Sequence, residues 1–496
     1  MITDYLSLKN GTDVRGTAID GVAGDPVTLT DEAVYTIAKA FTVWLTENKH
    51  IAAPKIAIGH DSRLSAERIE SALVRGITEC GSDVILTGLS STPSMFMLLQ
   101  DGFGADASVM ITASHLPYQK NGLKFFIKEG GLEGSDITEI LNLAAAGVSA
   151  GGKTGAVTHR SYIEKYAQDL VNKVRAATGK NQPLKGKKIL VDAGNGAGGF
   201  YVDLVLKPLG ADTAGSQFLE PDGSFPNHIP NPENADAMKS VCEAVKQNKA
   251  DFGIIFDTDV DRAGAVSPHG EEINRNRLIA LISAILLEEE KGAYIVTDSV
   301  TSDGLTTFIE SRGGVHRRFK RGYKNVINES KRLNGAGCYS PLAIETSGHA
   351  ALKENYFLDD GAYLVTRLLI ALAKKGDLMS LIKDLPEPKE AKEVRLHFKN
   401  GCDFKTLGAE ILKNIEEKIA SGEKKHLSLV PDNCEGVRIN FEKNHGDGWA
   451  LVRMSLHEPI MPINLESNTV GGCKLIAAEL LKLLGGYACL DSEKLL

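Results

Sequence analysis

The chain has 496 residues, of which 43% are hydrophobic and 24% charged, and its formal net charge is −8. This length exceeds one hydrophobic core and predicts three or four domains. The acidic balance argues against a general nucleic-acid-binding protein, and no apolar run reaches the ~18 residues that cross a bilayer. The N-terminal segment lacks the basic and apolar regions of a secretion signal. We therefore expect a cytoplasmic protein with no nucleic-acid and no membrane partner.

Short apolar runs alternate with amphipathic stretches along most of the chain, which is typical of βαβ units and a largely parallel sheet. Strands are predicted at 55–59, 82–88, 106–111, 187–194, 250–259, 293–299 and 340–349, and helices at 65–80, 238–249 and 277–289. The pattern restarts twice, so the sequence predicts three successive α/β domains with mixed, mostly parallel sheets.

The C-terminal part has a different pattern. The segment Leu385–Lys392 is rich in proline and charge, and we interpret it as a linker. After it, predicted strands follow one another without helical crossovers, which indicates a small α+β domain. Those strands are at 393–398, 436–441 and 449–456, and the helices are at 404–419 and 470–484. The predicted domains are 1–155, 156–268, 269–388 and 389–496.

Polar motifs follow five predicted strands: GHDSR, TASH, DAGNGAG, DTDVDR and ETSGH. In open α/β sheets, ligands bind outside the carboxyl ends of the strands. We therefore expect the domains to surround one central cleft that these motifs line.

The motif DTDVDR contains Asp257, Asp259 and Asp261. Alternate residues of an extended loop end can direct three carboxylates at one cation, and without a cation they repel one another. Oxygen-only ligands favour Mg²⁺ over zinc or copper. An EF-hand is excluded, because Arg262 stands where its glycine belongs and Pro268 where its glutamate belongs. A solvated acidic turn is the alternative, although an apolar strand leads directly into the motif.

The same motif allows a second enzymatic interpretation. A haloacid-dehalogenase-type phosphatase would use Asp257 as its nucleophile and would need a later lysine and a compact acidic loop. The segment Gly376–Asp384 comes nearest to that loop, but its second acid is too distant.

Ser114 and His115 stand together on the loop after the strand at 106–111. An ordinary polar turn is the simplest interpretation. Ser114 does not lie in a Gly-x-Ser-x-Gly elbow, since Thr112 and Leu116 stand where the glycines belong, and adjacent residues make poor geometry for a hydrolytic triad. A serine near a divalent ion favours phosphoryl transfer instead.

Two further motifs suit a sugar phosphate. In ETSGH, the alternating Glu345, Ser347 and His349 would face one side of an extended segment, so the glutamate and the serine could bind adjacent sugar hydroxyls. Taken alone, the motif is more simply interpreted as a polar turn. The basic segment Arg317–Lys324 is either a solvated surface or a phosphate clamp.

Together these motifs resemble the α-D-phosphohexomutase family of phosphoglucomutases and phosphomannomutases, over essentially the whole chain and in family order. The matching segments are NGTDVRG, GHDSRLS, TASHLPYQKNGLKFF, DAGNGAG, PDGSFPNHIPNPE, DTDVDR, ETSGH and VRMSLHEP. The phosphoserine-loop segment, TASHLPYQKNGLKFF, is the most specific of these matches.

The resemblance implies an intramolecular phosphotransferase that interconverts hexose 1-phosphate and hexose 6-phosphate. It would work through a phosphoserine at Ser114 and a bisphosphorylated sugar, with Mg²⁺ as cofactor and hexose 1,6-bisphosphate as activator. Its partner would be a small-molecule sugar phosphate, and the enzyme would be a monomer or homodimer. The alternatives are the dehalogenase-type sugar phosphatase and a non-catalytic sugar-phosphate-binding relative.

The resemblance also implies residue roles. Ser114 would be the nucleophile facing Arg15, and it would share Mg²⁺ with the three aspartates. Lys124 and Arg262 would flank the transferring group, and Lys124 and His349 would perform acid/base chemistry. The implied substrate-binding residues are His115, Lys320, Lys324, Glu345, Ser347, Arg453, Ser455 and His457. The last three would bind the non-reacting phosphate on a lid formed by residues 389–496.

The chain departs from the family pattern in three motifs. Leu116 replaces an asparagine, Ile344 replaces a glycine, and Leu456-His457 replaces Gly-Thr in the C-terminal phosphate loop. Glycine lets backbone N–H groups close around phosphate, so we expect either that this loop binds phosphate differently or that the substrate differs.

Overall fold

Alternating strands and helices form two units in this computed structural model, which describes residues 4–149, 151, 154–455 and 458–495. The first unit comprises Met1–Asn274 with Ser347–Met379, and the second comprises Arg275–Thr346 with Ser380–Leu496. Among the described residues, no helix combines the length and the apolar character needed to span a membrane.

The N-terminal sheet of the first unit has eight strands. They are β1 (Lys9–Asn10), β2 (Asp13–Thr17), β3 (Ile56–His60), β4 (Val84–Leu89), β5 (Ala107–Ile111), β6 (Lys120–Ile127), β7 (Gly130–Gly131) and β8 (Val157–His159). Their order is β1-β2-β6-β5-β3-β4-β8, with β7 paired to β6. Since β3 and β5 are parallel, the motifs that follow them leave the same edge of the sheet.

Four helices pack with this sheet: α1 (Asp31–Asn48), α2 (Ala66–Glu79), α3 (Thr92–Gln100) and α4 (Gly134–Ala146). Helix α1 lies against α2 and α4, and its apolar face carries Phe41 and Trp44. The rings of Phe41 and Phe125 lie 4.6 Å apart, which joins the helix to β6. Each buried aromatic side chain of this kind contributes roughly 2–3 kcal/mol.

The second sheet of the first unit is built by α5 (Ile163–Thr178), β9 (Ile189–Asp192), a π-helical turn (Tyr201–Leu206), α6 (Ala235–Asn248), β10 (Phe252–Phe256), β11 (Ala263–Val266) and β12 (Glu272–Ile273). The strand order is β12-β11-β10-β9. Strand β10 is parallel to β9, antiparallel to β11 and buried at every residue. This internal position explains its uninterrupted apolar sequence.

The chain then enters the second unit and returns. In the second unit lie α7 (Arg275–Glu289), β13 (Tyr294–Asp298), α8 (Asp303–Ser311), β14 (Val315–Phe319), α9 (Tyr323–Gly335) and β15 (Leu342–Ile344), with β13 parallel to both β14 and β15. Back in the first unit lie β16 (Ala350–Leu352), β17 (Leu358–Asp359) and α10 (Gly361–Lys375). Asp360 caps α10 by accepting from the Tyr363 amide, and it accepts the Tyr166 hydroxyl of α5 at 2.7 Å.

The C-terminal part of the second unit is an antiparallel sheet with two helices. Its elements are β18 (Glu390–His397), α11 (Phe404–Ala420), β19 (Leu427–Leu429), β20 (Val437–Phe441), β21 (Gly448–Val452), β22 (Ile460–Ser467) and α12 (Gly472–Leu484). The order is β18-β22-β21-β20-β19. Every strand pair is antiparallel, so no helical crossover is needed and an α+β arrangement results.

Most elements predicted from periodicity are confirmed, but several bounds need correction. The strands predicted at 250–259 and 449–456 end at Phe256 and Val452. The strand predicted at 340–349 ends at Ile344, because a turn follows it. The predicted linker Leu385–Lys392 is too long, since β18 already begins at Glu390. The boundaries between the four predicted domains stay a prediction.

A buried arginine joins the two parts of the second unit. Arg438 of β20 is 2% exposed, and its guanidinium lies over the Trp449 ring. It donates to the carbonyl oxygens of Ser299 and Thr301 at 2.9 and 3.1 Å and to the Asp303 carboxylate at 2.9 Å. The C-terminal sheet is thereby fastened to the loop after β13.

We expect Arg438→Ala to lower the free energy of unfolding by about 3 kcal/mol, because three acceptors lose a buried charged donor. Urea unfolding followed by circular dichroism measures the change. The control is Arg395→Ala, whose side chain is 61% exposed and pairs with Glu393. It should stay within about 1 kcal/mol of the parent. Equal losses in the two variants would contradict the fastening role.

Candidate active site

Three buried aspartates lie in the turn that joins β10 to β11. Asp257, Asp259 and Asp261 are each at most 2% exposed, and each offers a carboxylate oxygen within 4.8 Å of the others'. Strand β10 ends at Phe256 and β11 begins at Ala263, so the segment between them is a tight turn. The prediction that the aspartates alternate along an extended loop end is therefore wrong.

Val260 shapes this turn. Its φ is +67°, a left-handed conformation that β-branched residues rarely adopt and that costs roughly 1–3 kcal/mol. Its amide donates to the Asp257 carbonyl at 3.4 Å, and Asp257 Oδ1 accepts from the Arg262 amide at 3.1 Å. The folded-back turn, and not strand alternation, directs the three carboxylates to one place.

The three carboxylates need cations. Burial raises the pKa of Asp257 well above its usual range, and the charges of Asp261 and Asp259 raise it further. Burial also opposes ionisation of Asp261, but neighbouring cations, Lys124 first, outweigh it and lower that pKa. Asp259 Oδ1 and Asp261 Oδ1 are buried without a hydrogen-bond partner in the described chain. These oxygens fit a hard divalent cation.

The Ser114 hydroxyl faces this cluster. Its Oγ donates to Asp257 Oδ2 at 3.0 Å and lies 3.3 Å from His115 Nδ1. Ser114 has a φ of +53°, and its amide donates to Thr112 Oγ1 at 2.9 Å. Burial lowers the pKa of His115 to about 2, and Arg262 acts in the same direction. His115 is therefore a neutral neighbour of the serine.

Arg63 holds the loop that carries Ser114. Its guanidinium is buried and donates to four carbonyl oxygens of the loop at 2.5–2.8 Å, those of Ser114, Leu116, Pro117 and Lys120. Asp61 accepts from the Arg63 amide and from the Thr112 hydroxyl. Asp61 and Arg63 both belong to the motif GHDSR at the end of β3. This motif therefore supports the TASH loop that carries Ser114.

Lys124 and Thr92 bring donors to the aspartates from other elements. Lys124 lies on β6 opposite Met110, and its Nζ contacts Asp261 Oδ2 and lies 3.2 Å from Asp259 Oδ2. Thr92, at the start of α3, donates from its hydroxyl to Asp259 Oδ2 and from its amide to the Asp259 carbonyl. The aspartate turn is thus fixed by the N-terminal sheet.

Two arginines add positive charge. Arg15 lies on β2, donates to the Ala113 carbonyl at 3.3 Å and pairs with Asp13 at 2.8 Å. Arg262 follows the aspartates, and its Nε lies 3.9 Å from Asp257 Oδ2. Both cations therefore lie around the serine and its acceptor.

His349 reaches the aspartates from the loop before β16. Its residue bridges Arg262 in antiparallel fashion, and its Nδ1 contacts Asp359 and lies 3.8 Å from Asp261 Oδ1. Burial opposes protonation of this ring, but the Asp359 carboxylate outweighs it and raises the pKa of His349. Asp359 thus orients the imidazole and favours its protonated form.

Several polar and charged side chains of the second unit are also predicted or observed to suit an anionic ligand. Glu345 Oε1 accepts from the Gly322 amide at 2.7 Å, and Arg321 Nε lies 3.5 Å from Asp298 Oδ2. Arg453 is 9% exposed, and its Nε has no hydrogen-bond partner among the described residues. Burial lowers the pKa of Arg453, and Arg321 acts in the same direction. A buried guanidinium whose Nε has no partner in the described chain is suited to bind an anion.

The remaining predicted substrate residues lie as follows. Lys320 is exposed at the end of β14, and Lys324 is half-buried on α9. Ser455 Oγ accepts from the Glu458 amide at 3.2 Å. Ser347, in the first unit, is buried with no hydrogen-bond partner for its Oγ in the described chain. His457 lies outside the described residues, as does Leu456.

Comparisons with known proteins give the family. Family models for phosphoglucomutase/phosphomannomutase alpha/beta/alpha domains I, II and III match residues 8–149, 162–270 and 274–388. A phosphoglucomutase of Neisseria gonorrhoeae is 31% identical over 453 residues, which is 91% of this chain and 92% of that protein.

The chain belongs to the phosphoglucomutase/phosphomannomutase family. A phosphomannomutase/phosphoglucomutase of Pseudomonas syringae is 29% identical, with 92% of this chain and 91% of that protein covered. A solved family protein from Burkholderia thailandensis has a TM-score of 0.78 and 25% identity over 98% of both chains. These findings confirm the resemblance and the predicted three successive α/β domains with a C-terminal α+β domain.

The first unit brings together all eight residues predicted as catalytic or metal-binding: Ser114, Lys124, Arg262, His349, Arg15, Asp257, Asp259 and Asp261. Sequence reasoning missed supporting roles for Arg63, Thr92 and Asp359. Arg63 stood in a quoted motif, so a signal existed for it. Thr92 and Asp359 lie outside every motif, and only the fold brings them to the site.

We expect Arg63→Met to slow phosphorylation of Ser114 and to lower the free energy of unfolding by about 3 kcal/mol, because Asp61 loses a buried partner at 3.4 Å. Adding Asp61→Asn should restore part of that stability, since the uncompensated charge disappears. The measurements are urea unfolding and the initial rate of phosphoserine formation. The half-exposed Arg68 of α2 provides the control, Arg68→Met. Additive losses in the double variant would contradict the pairing.

Proposed function

We propose that the protein interconverts hexose 1-phosphate and hexose 6-phosphate with Ser114 as the phosphoryl carrier. The observation that carries this proposal is the Ser114 hydroxyl, 3.0 Å from a carboxylate of a buried aspartate cluster surrounded by cationic side chains. A hydrolase would need a base positioned to activate water. The Ser114 hydroxyl instead lies among cationic side chains that can offset the negative charge of a phosphoryl group. Relatives named phosphoglucomutase and phosphomannomutase support the same conclusion.

Mg²⁺ is the proposed cofactor. Asp257, Asp259 and Asp261, together with an oxygen of the serine-bound phosphate, would hold it, and the buried Oδ1 atoms without donors fit such an ion. Bound Mg²⁺ would neutralise charge on the phosphoryl oxygens and so favour transfer. Oxygen-only ligands agree with this choice.

The side chains divide the remaining work. Phosphorylated Ser114 donates its phosphoryl group to a hexose monophosphate, giving a bisphosphorylated sugar, and the other phosphate of that sugar returns to Ser114. Arg15, Arg262 and Lys124 offset the negative charge that develops during both transfers. Lys124 and His349 are the proposed acid/base groups, and Asp359 sets the orientation and charge of the imidazole. Hexose 1,6-bisphosphate would restore Ser114 phosphate if it is lost to water.

The sugar and its non-reacting phosphate need separate contacts. We assign Glu345 and Ser347 to sugar hydroxyls, with His115, Lys320 and Lys324 as further substrate-binding residues. Arg453 and Ser455, with His457, are assigned to the phosphate that does not react. The buried Arg453 Nε without a partner supports this role.

The alternatives from the sequence are not favoured. A dehalogenase-type phosphatase would form its phosphoryl bond at Asp257, whereas the Ser114 hydroxyl here donates to the Asp257 carboxylate at 3.0 Å. A non-catalytic binder would have no use for a serine directed at the acidic cluster. The relatives that align with more than 90% of this chain include proteins named phosphoglucomutase and phosphomannomutase/phosphoglucomutase.

We expect Ser114→Ala to abolish turnover in a coupled assay with glucose, mannose and glucosamine 1-phosphates, Mg²⁺ and a trace of hexose 1,6-bisphosphate. The parent protein should carry one phosphate by intact-mass analysis, and the variant none. The control is Ser108→Ala, which removes a buried hydroxyl of β5 that donates to the Met95 carbonyl. Turnover or added phosphate in the Ser114 variant would refute the carrier role.

We expect Asp259→Asn to lower kcat about 100- to 1,000-fold, because one charged ligand of the cation is lost. Removing Mg²⁺ with a chelator should stop the parent enzyme, and added Mg²⁺ should restore it. Asp251→Asn is the matched control, since Asp251 precedes β10 and pairs with Lys187 away from the cluster. Full activity of chelated parent enzyme would contradict the metal assignment.

A further inference from the structure

A second cluster of metal-binding side chains lies in the C-terminal part of the second unit, apart from the proposed reaction site. His426 directly precedes β19, His445 ends a 3₁₀ turn after β20, and Glu479 lies on α12. Their donor atoms all lie within 4.8 Å of one another. These residues are far apart in sequence, so the fold itself brings them together.

His426 and Glu479 already have the spacing of two ligands. His426 Nε2 lies 3.5 Å from Glu479 Oε2, and this nitrogen is buried without a hydrogen-bond partner among the described residues. Two ligand atoms that are each ~2.0–2.1 Å from a tetrahedral ion lie about 3.4 Å apart. A buried nitrogen without a partner destabilises the fold, and a bound metal would remove that cost.

His445 supplies the third donor. Its ring stacks on that of His426, with centroids 3.8 Å apart and an angle of 20° between the rings. Within the described part of the chain, no side-chain hydrogen bond holds the His445 ring in this orientation. A side-chain rotation can therefore direct one of its nitrogens at an ion next to His426.

A lysine now holds the oxygen that the ion would use. Lys424 Nζ lies 3.0 Å from Glu479 Oε2, and Lys482 contacts the other carboxylate oxygen, Oε1. The Glu479 carboxylate therefore lies against two ammonium groups. Lys424 is 28% exposed on the loop after α11 and can withdraw into solvent. The Lys424 ammonium shows that the position next to Glu479 Oε2 is favourable for a cation.

We propose that His426, His445 and Glu479 form a site for a divalent metal of borderline softness, Zn²⁺ being the best match, with Lys424 displaced on binding. Two imidazole nitrogens and one carboxylate oxygen suit Zn²⁺, whereas the oxygen-only cluster of the aspartates suits Mg²⁺. Three protein ligands leave a fourth position for water. The ion would connect the β19 loop, the turn after β20 and α12, and would thereby stabilise the C-terminal sheet.

The test uses untagged, chelator-treated protein in excess Mg²⁺, so that the aspartate cluster is occupied. Zn²⁺ affinity is measured by competition with a chromophoric chelator, and Co²⁺ absorption reports tetrahedral geometry. We expect His426→Ala and Glu479→Gln to weaken binding at least tenfold and to abolish the Zn²⁺-dependent rise in melting temperature. Lys424→Gln should strengthen binding, because the competing ammonium is gone.

His397→Ala, which removes an exposed histidine from β18 of the same sheet, is the matched control and should bind Zn²⁺ like the parent. His426→Gln, which keeps a polar group, serves if the alanine variant does not fold. The proposal is overturned if the His426 and Glu479 variants bind Zn²⁺ as tightly as the parent, or if Lys424→Gln binds more weakly. Neither result bears on the mutase activity, which is assayed separately.

Discussion

The burial of three carboxylates within 4.8 Å of one another is the constraint on which the candidate site depends. Two like charges ~4 Å apart repel by roughly 4 kcal/mol at an effective dielectric constant of 20, so the arrangement is stable only with cations around it. Lys124 and Arg262 supply part of that charge. A phosphoryl group on Ser114 would add negative charge at the same place, and so the same cations serve both folding and transfer.

Backbone strain next to the cluster follows from this arrangement. Ser114 and Val260 both have φ above +50° although neither is glycine, and such residues persist only when their surroundings hold them. For Ser114, the four carbonyl contacts of Arg63 provide that support. For Val260, the short connection between two buried, paired strands leaves the chain no other path. The stable sheets thus hold the Ser114 hydroxyl at a fixed distance from the Asp257 carboxylate.

Much of the fold and site could be predicted from the sequence, because apolar runs mark the strands and polar motifs mark their ends. Ser114, Lys124 and the aspartates meet as the motifs indicate. The turn geometry could not be predicted, since alternation describes extended chain and Val260 is left-handed. Asp359 could not be predicted either, because its role depends on contact with His349 and not on any local pattern.

The two potential metal sites of this chain differ in the property that selects their ions. The aspartate cluster is deeply buried, offers oxygen alone and is surrounded by fixed cations, so a small hard ion that carries phosphate oxygens suits it. The cluster of His426, His445 and Glu479 is half-buried and nitrogen-rich, and the cation that competes for Glu479 Oε2 is the partly exposed Lys424. Excess Mg²⁺ would satisfy the first cluster but not the second, because imidazole is a poor ligand for it. With Mg²⁺ in excess, ligand type would therefore favour a different metal at each cluster.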